Sequence, residues 1–261
     1  MMKTNVMPVY QRELKSIFYS PVAYMVLFAF FLLAGFFWYI GLVSYGQASM
    51  QAAAYAQFQG AGAQNMKLVE MLLAPFYDNV TVTFLLLLPL ISMRQFSEEK
   101  KMGTIETLFT YPFSDLDIVL GKWLASLTLL LALLVPVLIL PAMIADKVAL
   151  PWGIVLSGML GLFLVGGSYL AAGLFFSALT ENQIVAAALS FGSLLFLFVL
   201  GWLEGVSSGW VKDLVSNLTL INHFQGLTKG SISLKDLTYF IFFTVFCLFG
   251  TLRVLESKQW R

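Results

Sequence analysis

Hydrophobic positions along this chain come in long runs, and charge is confined to short breaks between them. A helix needs about 20 apolar residues to cross the hydrocarbon core of a bilayer. Runs of that order fall at about 22–43, 118–145, 152–178 and 182–203. Two shorter runs reach the length with help from their borders. Val80–Met93 becomes a span if the helix starts near Pro75 and carries Asp78 at the interface, giving 75–93. Leu237–Leu252 becomes one if Arg253 snorkels, giving 236–255. The pattern predicts an all-α polytopic membrane fold with six transmembrane helices, and a single domain over 1–261.

Punctuation supports these starts. Ser20-Pro21 places a capping side chain before a proline at the first helical position. Ser114-x-x-Asp117, Thr180-x-x-Gln183 and Ser233-x-x-Asp236 fit the capping box or its aspartate variant ahead of three spans. Pro89, Pro136 and Pro141 lie inside spans and read as ordinary membrane-helix kinks. Gly161, Gly166, Gly167 and Gly173 read as close helix packing, Ser168 and Tyr169 as interhelical packing and hydrogen bonds, and Cys247 as a small core residue.

Two segments outside the spans have a 3.6-residue period. Tyr10, Leu14, Ile17 and Phe18 share one helical face with Arg12, Glu13 and Lys15 off it, which predicts an interfacial helix over 8–19. Between the second and third spans, 94–117 begins with the charges Glu98, Glu99, Lys100 and Lys101. After Gly103, the residues Ile105, Leu108 and Phe109 recur on one face, and Pro112 ends the pattern. This short amphipathic helix either lies on lipid headgroups or docks its apolar side into a soluble partner. Residues 44–66 are rich in Ala, Gln and Gly and suit a flexible loop or a weak helix, and 204–235 reads as a moderate loop.

Composition narrows the class. The chain is 59% hydrophobic and 11% charged, against about 45–50% and about 25% for soluble domains. Fifteen Lys and Arg against fourteen Asp and Glu leave no field to recruit nucleic acid. The first residues lack an apolar core followed by a cleavage site, so no cleaved leader is expected. With both termini cytoplasmic, the inside segments hold ten cations (Lys3, Arg12, Lys15, Arg94, Lys100, Lys101, Lys122, Arg253, Lys258 and Arg261). The outside holds five (Lys67, Lys147, Lys212, Lys229 and Lys235), the direction that the positive-inside rule requires.

The chemistry that is missing matters as much. There is no phosphate-binding GxxxxGK[ST] and no HExxH, and one cysteine excludes an intrachain disulfide or a CxxC metal site. The one histidine, His223, reads as an interfacial polar residue rather than a ligand or proton shuttle. The middles of the spans carry no Asp, Glu, Lys, Arg or His, which argues against an autonomous proton- or sodium-coupled carrier. Neither catalytic residues nor a cofactor or metal site is expected in this chain.

Three blocks carry a family resemblance: Ser92–Lys122, Phe176–Ala186 and Asn222–Phe243. With the interfacial helix and six spans, the chain resembles the membrane subunit of a type-2 ABC exporter, closest to gliding-motility permeases of the GldF type. The resemblance implies a non-catalytic permease of a bacterial inner membrane. ATP and Mg would be bound by a partner ABC ATPase. The other implied partners are a second copy or a paralogous permease, an auxiliary protein with an extracytoplasmic domain, and lipid. It implies that 98–109 is the coupling helix seated in the ATPase, with contacts from Glu98, Glu99, Thr104 and Glu106, and Ile105, Leu108 and Phe109 as its apolar knobs. The short loop holding Glu181 would be a second contact. A mechanotransmitting or regulatory subunit without cargo remains the alternative, an autonomous channel or carrier stands third, and the substrate is not legible.

Overall fold

The computed structural model describes residues 6–59, 68–104, 114–146, 148, 150–205 and 208–259. Among the described residues it is 89% helical, with no strand. Helix α1 covers Val6–Tyr19 and α2 covers Pro21–Gln59. A π-helical turn at Val69–Leu73 leads into α3 (Ala74–Ser92), and α4 (Arg94–Lys101) follows directly. Then come α5 (Asp115–Ala142), α6 (Trp152–Leu179) and α7 (Gln183–Leu200). A 3-10 turn at Gly201–Gly205 precedes α8 (Trp210–Leu218), α9 (Leu220–Thr228) and α10 (Leu234–Gln259). Among the described residues, six helices are long and apolar enough to cross a membrane: α2, α3 with its extensions, α5, α6, α7 and α10.

Helix α6 is the centre of the bundle. Two thirds (67%) of its most apolar window is buried, against 22% for α2, 17% for α7 and 22% for α10. Its glycines make this possible. A Cβ on Gly158 would lie 2.8 Å from Tyr77 Cζ of α3, and one on Gly166 2.6 Å from Leu130 Cδ1 of α5. The outer helices show one buried stripe each. On α2 this is Ala23, Val26, Phe30, Ala34 and Trp38, at helical spacing. Phe30 stacks on Phe84 at 5.3 Å, and Trp38 meets Phe76 edge-on at 5.0 Å. The opposite face of α2 exposes Phe28, Leu32, Phe36 and Tyr39, as suits contact with lipid.

Of the two readings of the low-complexity stretch, loop or helix, helix is what forms as far as Gln59, where α2 ends. Other expectations change. The second span begins earlier than 75, because the π turn extends α3 back to Val69. Residues 204–235 are not simply a loop, since α8 and α9 occupy much of them. Only one of the three capping boxes forms as expected. Ser114 Oγ accepts from Asp117 N at 3.2 Å, and Ser114 N donates to Asp117 Oδ2 at 3.1 Å. At α7 the cap is Asn182, whose Oδ1 accepts from Ile184 N at 2.9 Å, while Thr180 supports Asn182 N at 3.2 Å. Ahead of α10, Ser233 Oγ accepts from Lys235 N, and the Asp236 carboxylate turns to His223. His223 is buried within the protein. Cys247 is in the core, and Ser168 hydrogen-bonds Thr244 of α10 at 3.1 Å.

Candidate functional site

At one end of the bundle, α4 lies among the ends of α1, α5 and α6. Its sequence, RQFSEEKK, is too polar to hold a helix by burial of a stripe alone. Side chains from its neighbours hold it instead. Phe96 N, an unsatisfied first-turn donor, and the neighbouring Ser97 N both reach Ser177 Oγ of α6, at 3.0 and 3.1 Å. The same hydroxyl donates to Met93 O at 2.8 Å, so one side chain closes the break between α3 and α4. Lys100 Nζ donates to the Ala178 carbonyl, a second tie to α6. Gln95 Nε2 donates to Ser126 Oγ of α5 at 2.6 Å.

The far end of α4 stops cleanly. Gly103 has φ +69°, the left-handed conformation that glycine adopts without a Cβ penalty. Thr104 N bonds Glu99 O at 3.0 Å and Gly103 N bonds Lys100 O at 3.1 Å, the paired bonds of a Schellman C-cap.

Beneath α4 sits a buried knot of charge. Lys122 Nζ of α5 is 2.9 Å from Glu99 Oε1 and 3.1 Å from Glu13 Oε1 of α1, and its side chain is 1% exposed. Arg12 Nη2 donates to the same Glu99 oxygen at 3.0 Å. The Lys122 ammonium also lies 5.1 Å from the ring centroid of Phe96. Two cations and two carboxylates balance: Lys122, Glu13 and Glu99 are buried and Arg12 closes the cluster from a half-exposed edge, which is the condition for keeping the buried charges there. The other oxygen of Glu99 and Oε1 of Gln95 are buried without a hydrogen-bond partner among the described residues. On the outer side, Arg94 grips Glu98 with two bonds of 2.8 and 3.1 Å and donates to Ser20 Oγ at 2.9 Å. Ser20 is also the cap expected at the start of α2, accepting from Val22 N at 3.3 Å. A cavity of about 690 Å³ opens between these elements, with Arg12, Ser20, Arg94, Glu98 and Glu99 in its wall.

The site residues expected from sequence divide three ways. Glu98, Glu99 and Thr104 lie together on α4 and its cap. Glu98 remains partly exposed, whereas Glu99 faces inward to Lys122 and Arg12. Glu181 is exposed in the turn between α6 and α7, at this same end of the bundle. Ile105, Glu106, Leu108 and Phe109 lie outside the described residues. The helix at 94–101 is the part of the expected coupling segment that the structure describes, and it begins before the predicted 98.

Sequence reasoning missed Arg12, Glu13, Lys122, Gln95 and Ser177 as parts of this site. Glu13 does lie off the face of Tyr10, Leu14, Ile17 and Phe18, but it is buried there beside Val9 instead of facing solvent. One signal was available: Lys122 is the only charged residue within α5 beyond its first turn. Among the described residues no cluster of His, Cys, Asp and Glu is placed to hold a metal ion.

The family model for ABC-2 family transporter proteins matches residues 7–244. That is most of the chain, and the chain belongs to this family. No curated protein matches it.

Proposed function

We propose that this ABC-2 family chain is the permease subunit of an ATP-driven type-2 ABC exporter, of the gliding-motility kind, in a bacterial cytoplasmic membrane. Its partner is a separate ABC ATPase that binds ATP and Mg. A second permease copy or a paralogue completes the path, and both termini are cytoplasmic. The chain itself does no chemistry.

The observation that carries this reading is how α4 is fastened. It reaches α1 through Glu99 and Arg12, α5 through Glu99 and Lys122, and α6 through Ser177. A helix that merely floated on headgroups would not need ties to three neighbours. A lever does need them, because force applied at 94–109 must reach the spans. In this reading Glu98, Thr104, Ile105, Glu106, Leu108, Phe109 and Glu181 meet the ATPase. Glu99 works from inside, linking the lever to α1 and α5. Closure of the ATPase on ATP moves the lever, and the spans repack between two arrangements. ATP drives this because its affinity differs between them.

The test replaces Ile105 and Leu108 with Asp in the full chain, co-expressed with its ATPase. Membrane insertion should persist and the ATPase should no longer co-purify. A full complement of ATPase on the double variant would end the docking assignment. Substrate flux in reconstituted vesicles, with and without ATP, then separates an exporter from a subunit that only transmits force.

A further inference from the structure

The end of the bundle away from α4 holds the one histidine of the chain. His223 lies on α9, 4% exposed, and three groups grip its ring. Nδ1 is 2.7 Å from Asp236 Oδ1 at the start of α10. Nε2 is 3.3 Å from the carbonyl oxygen of Asn217 on α8. The ring stacks on Tyr239 of α10, with centroids 4.1 Å apart and planes 20° from parallel. Tyr239 in turn donates its hydroxyl to the Leu218 carbonyl at 2.6 Å. The last turn of α8 is thus tied to α10 twice, directly by Tyr239 and by way of His223.

Both partners of the imidazole are acceptors. An ionised carboxylate and a carbonyl oxygen have no proton to give, and a neutral imidazole has only one N–H. In the neutral form one of the two contacts sets lone pair against lone pair. Only the imidazolium donates at both nitrogens. We infer that His223 is an imidazolium in this arrangement, and that its second proton works a clasp holding α8 and α9 to α10. When that proton leaves to solvent, the remaining N–H stays with the charged Asp236, the stronger acceptor. The longer bond to Asn217 is lost, and α8 keeps only the Tyr239 tie. The clasp therefore holds at lower pH and loosens as pH rises.

The surroundings fit a single controlling charge. Among the described residues, Asp236 and Tyr239 are the titratable groups in contact with the ring. Helices α6 and α7 carry no charged residue, and Tyr169 is the titratable group of α6. From α3 come Tyr77 and Asp78, and Asp78 lies within electrostatic reach of Lys229, just after α9. Lys212 and Asp213 of α8 and Lys235 of α10 are exposed, and the 3-10 turn carries Glu204. This inference does not depend on the ATPase reading.

Because the chain has one histidine, histidine-selective ¹⁵N labelling of the full protein reports on this ring alone. The protein is placed in lipid nanodiscs with a histidine-free affinity tag, and pH is raised from about 5 past about 8, until the ring titrates. At the acid end both nitrogens should be protonated. On titration the spectrum should become that of the single neutral tautomer with its proton on Nδ1. Hydrogen exchange over the α8–α9 junction, corrected for intrinsic pH dependence, should then speed up at least tenfold. In Asp236→Asn the ring should turn neutral at lower pH than in the natural protein. His223→Gln should exchange fast at every pH. Should either variant fail to fold, the natural protein's titration decides alone. A ring that is neutral throughout, or one that titrates with no change in exchange at the junction, overturns the clasp.

Discussion

Lys122 of α5 holds Glu99 of α4 and Glu13 of α1 at once, at 2.9 and 3.1 Å, with almost none of its side chain in contact with solvent. Removing one member of such a cluster strands the others. Lys122→Met should destabilise the protein by about 3–5 kcal/mol. Denaturant or thermal unfolding in detergent will read this. Adding Glu13→Gln and Glu99→Gln should recover much of the loss, because no uncompensated charge then stays buried. A triple variant less stable than Lys122→Met would contradict the account.

Ser177 is a cap lent by one helix to another. Ser177→Ala leaves Phe96 N and Ser97 N without their acceptor. A lost cap costs about 0.5–2 kcal/mol, and a loss in that range is expected. Hydrogen exchange of the first turn of α4 should accelerate while the centre of α6 stays protected. Acceleration spread evenly over the bundle would mean that the hydroxyl has no local role.

The contact between α3 and α6 near Ser92 leaves no room. A Cβ on Gly173 would lie 2.6 Å from Ser92 Cβ. Gly173→Ala should cost about 1–3 kcal/mol through overpacking. Pairing it with Ser92→Gly should restore part of the stability, and thermal unfolding of the single and double variants measures that coupling.

Glu98 separates folding from docking. Its bridge to Arg94 is partly exposed and lies within one helix turn. Glu98→Ala should therefore change stability by about 0.5 kcal/mol or less. If 98 belongs to the grip of the ATPase, the same variant should retain markedly less ATPase in co-purification. Unchanged retention would remove Glu98 from the proposed contact.

The six spans were legible because lipid demands long uninterrupted apolar runs, and charge marks where they stop. Ser114 and Asp117 were legible because a capping box is local, with both partners three residues apart. The charge knot was not. Arg12 and Glu99 stand 87 positions apart, and nothing local distinguishes a charge paired across that distance from one facing solvent. Glu13 shows this well, since a carboxylate on an interfacial helix belongs on the wet side unless a cation such as Lys122 waits beneath it. Asp236 failed as a cap for the same reason, because His223, 13 residues earlier, competes for its oxygen.

The glycines of α6 also limit how this bundle can move. Gly158 faces Tyr77, Gly161 faces Phe224, Gly166 faces Leu130 and Gly173 faces Ser92, so the bare patches of one rod are matched to three different neighbours, on α3, α9 and α5. Twisting that rod about its own axis would carry bulk into each of these gaps together. Sliding or tilting as a stiff spar disturbs them least, and a push delivered at Ser177 would therefore arrive at the far end as displacement rather than as torsion.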